Sequence, residues 1–172
     1  IGFAVYGVRV SVLPLFLLTV LGQPAKWIGI GLTVGALAQT IILPKSGVWA
    51  DRYGVKSTLL VGLGCVLISF LIIQCGGSLH TYLVGLALMG IGSAFCSTST
   101  AVAAGIAANN KGGTVISVYQ MSADVGMMVG PVMIGLLAEY YSYDLALAVT
   151  AALLAAALFC AMLVPKTKTN PS

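Results

Sequence analysis

Asp124 is the acidic side chain placed deepest inside a long apolar run, and Tyr119 and Gln120 stand one helical turn before it. From a helix start near Thr114, ten residues at 1.5 Å each carry it roughly 15 Å along the axis, close to the middle of a hydrocarbon layer about 30 Å thick. A carboxylate at that depth costs about 2.5–3.5 kcal/mol even on the mild insertion scale, so it must face protein or water and hold a partner or a proton. Three roles are open to it: a structural ion pair with Arg9, the basic residue expected at similar depth; a carrier of protons; or direct contact with a transported solute. Arg9 itself either lines a cavity or snorkels to the interface. Gln39, in another run, either faces the same cavity or hydrogen-bonds a neighbouring helix.

A second group of charges gathers between two apolar runs, in Pro44-Lys45-Ser46-Gly47-Val48-Trp49-Ala50-Asp51-Arg52-Tyr53-Gly54-Val55-Lys56. The order reads as a short loop between two helices, with Gly47 allowing close backbone approach and Gly54 taking the positive φ of a tight reversal. Other chemistry is poorly supplied. Cys65, Cys75, Cys96 and Cys160 lie in or beside apolar runs without CxxC spacing and read as small buried hydrophobes rather than metal ligands or disulfides. His80 stands alone, and no GxSxG, HExxH or pair of intramembrane acids occurs, so neither an enzyme nor a metal or cofactor site is expected.

Composition fixes the setting of these groups. Hydrophobic residues make up 59% of the 172 and charged residues only 7%, far from the roughly 25% charged of a soluble domain. The chain is therefore expected to be an all-α integral membrane protein with the lipid bilayer as its solvent. The net charge of +4 sits in the breaks between runs and forms no basic face, which argues against nucleic acid as a partner.

Six apolar runs have membrane-spanning length: 1–21, 27–46, 57–75, 81–108, 114–137 and 144–164, followed by a tail over 165–172. Lys45, Arg52, Lys56, Lys111, Lys166 and Lys168 fall on one side of this arrangement and Lys26 alone on the other, which predicts cytoplasmic termini. The third and sixth runs lack ionisable side chains and read as peripheral, lipid-facing helices. Polar residues concentrate in the first, second, fourth and fifth, as around an aqueous inner face. The second run carries Gly29, Gly31 and Gly35, a small-residue packing face. The fourth ends in Ser93 to Thr100, rich in hydroxyls, which either bond back to their own backbone or face a solute.

The charged stretch resembles the signature loop of the major facilitator superfamily of transporters, through Gly47, Ala50, Asp51, Arg52, Gly54 and Lys56; Trp49 stands where that family usually has Leu. Gly126, Gly130, Pro131 and Gly135 resemble its Gly-Pro antiporter motif, with Ile134 in place of the first of the closing Gly pair. The resemblance implies one six-helix half of a twelve-helix, alternating-access transporter of a small-molecule substrate. The degenerate loop, the lack of an Arg in the fourth run and the polar ending Pro165 to Ser172 favour the C-terminal half. The partner half is then expected upstream of Ile1, on the same polypeptide. The second and fifth runs would face that half, and Asp51 would pair with a basic residue or a helix N-terminus across the interface.

The Gly-Pro motif favours efflux of drugs or metabolites across the cell's inner (plasma) membrane, with protons as a candidate coupling ion at Asp124. Sugar or organic-acid uptake by a symporter is the alternative within the family. A six-helix channel or assembly subunit is the alternative outside it, and it leaves the two motifs unexplained.

Overall fold

The structure is a computed structural model that describes Leu13, Pro14, Leu17, Gly22, Pro24 and residues 26–76, 78–107, 113–140 and 143–163. Five helices follow in order: α1 (Lys26–Tyr53), α2 (Val55–Gly76), α3 (Leu79–Ala107), α4 (Gly113–Tyr140) and α5 (Tyr143–Leu163). No strand occurs among the described residues. The α1, α2 and α3 segments are each long and apolar enough to cross a bilayer, and the protein is an all-α membrane protein. Most of the run 1–21, including Arg9, lies outside the described residues, as do Lys111 and the tail 165–172.

The expected loop between the second and third runs is almost wholly helical. Helix α1 continues to Tyr53 and α2 begins at Val55, so the reversal is concentrated at Gly54, whose φ of 83° and ψ of 161° lie in a region essentially reserved for glycine. Once Gly54 absorbs the turn, its neighbours are free to keep their intrahelical hydrogen bonds, which a membrane setting strongly favours. Gly47 does not serve close approach, because nothing lies within 4 Å of where its Cβ would be.

Contact registers set the helix directions. Along α1 and α3, Gly31 meets Tyr82 and Leu86, Gly35 meets Gly90, and Ser46 meets Ala94 and Thr98, so the two run parallel. Along α2 and α3 the order is opposite: Gly62 against Cys96, Val66 against Gly92, Ile73 against Gly85. Helix α5 is antiparallel to α2, since Leu154 joins the cluster of Val66 and Phe70, Ala161 joins Leu63, and Lys56 Nζ donates to the Met162 carbonyl. Lys45, Arg52 and Lys56 therefore gather at the end of the bundle where α5 finishes.

Glycine lets α3 sit between its neighbours. Gly90 opens one side to α1 and Gly92 the other to α2, where a Cβ would stand 2.7 Å from the Gly62 carbonyl oxygen. Close backbone approach is how membrane helices gain packing energy when lipid removes the hydrophobic drive between them. The α2–α3 reversal is fixed by a reciprocal cap: Thr81 N–H donates to Ser78 Oγ at 3.4 Å, and Ser78 N–H to Thr81 Oγ1 at 3.3 Å.

Helix α2 overturns the expectation that the third run is peripheral. Leu63, Val66, Phe70 and Ile73 are fully buried, together with Thr58 and Ser69. Only a stripe through Val61, Ile68 and Leu71 is exposed. An apolar surface packs against protein as readily as against lipid, so the lack of charge could not separate the two. Cys96 is buried as expected, but Cys75 and Cys160 are exposed.

Candidate functional site

Helix α4 packs on α5 and α3 through the side that carries half-buried Ala123 and Gly126 and buried Gly130. Glycines four residues apart share one face and leave room for a neighbour's backbone. Pro131 and Gly135 hold helical positions further along, and Tyr119 holds one near the start.

The opposite side of α4 is turned away from the described bundle. Asp124 and Gln120 are exposed there, with Gln120 Nε2 donating to Asp124 Oδ1 at 3.4 Å across one turn. Asp124 lies roughly 16 Å from the α4 start at 1.5 Å per residue, within a helix of 28 residues. Met121, Met127 and Met128 stand three before, three after and four after it, which puts them around the carboxylate on the same face. All three are exposed, Met128 at 73% and Met121 at 66%. The sequence reading passed over these thioethers, although their spacing from Asp124 was the available signal. Arg9, the partner weighed for Asp124, lies outside the described residues.

Helix α1 presents a second outward face through Leu37, Ile41 and Val48. Gln39 on that helix is half-buried. Toward α3, Ser46 is fully buried and its hydroxyl contacts that of Thr98 at 2.5 Å while also donating to the carbonyls of Leu43 and Ala94. Pro44, one turn into this contact, withholds the donor that Thr40 C=O would otherwise receive. The other hydroxyls of α3 bond back to their own backbone: Ser93 to Met89, Ser97 to Ala94, Ser99 to Phe95 and Thr100 to Cys96. Those side chains serve helix packing.

At the α1–α2 turn Ala50 is buried, whereas Asp51 and Arg52 are exposed. The basic neighbours point away from Asp51. Arg52 sets its guanidinium over the Tyr53 ring, 5.6 Å from the centroid, and Lys56 reaches Met162 on α5. Trp49 packs on Tyr53 at 4.9 Å and edge-on to Phe95 of α3 at 5.9 Å. This aromatic wedge braces the turn against α3 and leaves the Asp51 carboxylate outward.

A family model described as Major Facilitator Superfamily matches residues 1–172. The multidrug resistance protein MdtG of Escherichia fergusonii is 30% identical over 175 residues, covering 98% of this chain and 42% of the relative. MdtG of Escherichia coli strain 55989 is 29% identical with the same coverage. The fosmidomycin resistance protein of Escherichia coli K12 is 29% identical over 120 residues, covering 69% of this chain and 30% of the relative. The chain thus spans less than half the length of these relatives.

Proposed function

We propose, starting from the fact that this chain belongs to the Major Facilitator Superfamily, that it supplies one six-helix half of a transporter exporting small solutes by alternating access. The observation that carries this reading is the outward face of α4, where Asp124 and Gln120 sit at mid-helix with no described helix over them. Lipid is a costly neighbour for that carboxylate. Water in a central pathway, or a second half of the protein, is not. The relatives' greater length leaves room for such a half, and the outward apolar face of α1 is a further surface for it to cover.

Two halves that rock about a central site expose it to one side of the membrane at a time. Asp51 is the latch of one of those states. Its basic neighbours are engaged elsewhere, so its carboxylate is available to a cation or helix N-terminus across the interface. The end bearing Lys45, Arg52 and Lys56 is cytoplasmic by the positive-inside rule, in the inner membrane of the cell. Asp124 takes up and releases the protons that drive export. Multidrug and fosmidomycin resistance are the properties for which the relatives are named, and they favour drugs or metabolites as cargo over sugars.

The test is intracellular accumulation of a chemically diverse panel, including ethidium and chloramphenicol, in cells with and without the full-length protein. Export predicts reduced accumulation of at least one compound, reversed by Asp124→Asn. Equal accumulation of every compound in both strains would remove the reading.

A further inference from the structure

We propose that the outward face of α4 is a subsite for lipophilic monovalent cations, in which Asp124 supplies the counter-charge and Met121, Met127 and Met128 supply the wall. The assignment rests on the export reading above and names its substrate class.

Three observations on one helix face carry it. Asp124 holds its carboxylate on the side of α4 turned away from α5 and α3, so nothing described competes for it except the Gln120 amide at 3.4 Å. An amide donor orients a carboxylate without neutralising it, and the negative charge stays on offer. The second observation is the kind of side chain around it. Met121, Met127 and Met128 are all exposed and within one turn of Asp124 on either side. Thioethers are unbranched and polarizable, and they repack around ligands of differing shape. The third is the absence of a basic side chain from the described residues of α4, which leaves the face with a single sign of charge.

A compact hydrated cation such as sodium gains little from three thioethers, and a neutral apolar solute gains nothing from the carboxylate. A cation with its charge spread over an apolar body uses both. Removing such a charge from water is cheap relative to a small ion, and the low-dielectric surroundings then strengthen its attraction to Asp124.

Tetraphenylphosphonium and tetraphenylborate, nearly identical in shape and opposite in charge, test this with the purified full-length protein. Wild-type protein should bind the cation saturably and the anion at least tenfold more weakly. Asp124→Asn should weaken cation binding at least tenfold, and Asp124→Glu should hold it within about threefold of wild type. Met121→Ala combined with Met128→Ala should weaken it about threefold or more. A readout on wild-type protein guards against an unfolded variant: tetraphenylphosphonium should slow modification of Asp124 by a hydrophobic carbodiimide. Undiminished cation binding by folded Asp124→Asn, or no protection of Asp124, overturns the subsite even if other solutes are still exported. Binding that depends on Asp124 in a protein that exports nothing overturns the export reading and leaves the subsite standing.

Discussion

Gly90 of α3 rests directly on Gly35 of α1, so closely that a Cβ at Gly90 would land on the Gly35 carbonyl oxygen. Backbone cannot move aside as the tip of a side chain can, and over-packing of this kind typically costs about 1–3 kcal/mol. Gly90→Ala should lower the melting temperature in detergent and reduce the yield of folded protein. Gly64→Ala and Gly105→Ala should not, because nothing lies within 4 Å of either Cβ position and alanine is the better helix former by up to about 1 kcal/mol. Equal stability of all three variants would mean that α1 and α3 do not meet here.

The reversal at Gly54 gives a second contrast within one segment. Its φ of 83° with ψ of 161° makes Gly54→Ala cost about 1–3 kcal/mol, whereas Gly47→Ala, in open space on α1, should be neutral or stabilising. Thermal unfolding of the two variants checks this, and a tolerated Gly54→Ala would place the turn elsewhere.

Orientation can be read by thiol labelling in a background without Cys65, Cys75, Cys96 and Cys160. Ser78 and Lys45 are both exposed and lie at opposite ends of the bundle. An impermeant maleimide added to intact cells should modify Ser78→Cys and spare Lys45→Cys. The reverse pattern would put the basic end outside. Ser46 is unsuitable as a reporter, since it is fully buried against α3.

How much of this was legible in the sequence depends on what each residue's chemistry can encode. Membrane class follows from composition, and the back-bonding of Ser93, Ser97, Ser99 and Thr100 follows from short hydroxyl side chains in an apolar helix. The burial of α2 could not be read, because Leu63, Val66 and Phe70 suit lipid and protein neighbours equally. The length of α1 was hidden by its charges: Asp51 and Arg52 resemble loop residues, yet a single glycine took the whole turn. The Ser46–Thr98 contact joins residues far apart in the chain, which local pattern does not reveal. Asp124 was visible as an isolated acid. The thioethers around it were visible only once they were considered as one helix face.

The outward Asp51 carboxylate predicts a functional lesion without a structural one. Its neighbours Arg52 and Lys56 are engaged with Tyr53 and Met162, and exposed local pairs are worth about 0–1 kcal/mol in any case. Asp51→Asn should therefore insert and melt like wild type while losing most export of whichever panel compound the protein handles. Export at the wild-type rate would return Asp51 to a local role in the turn.

Alternating access is tested most directly by the accessibility of Met128→Cys, on the outward face of α4 one turn from Asp124, in the full-length protein free of other thiols. In oriented proteoliposomes, its rate of reaction with an impermeant methanethiosulfonate would be measured from each side, with and without saturating transported compound. The account predicts reciprocal rates: the compound should slow reaction from one side and speed it from the other. Simultaneous fast reaction from both sides would indicate a channel, and no reaction from either side under any condition would mean that this face meets lipid or is permanently sealed. Either result would contradict transport through a site on α4.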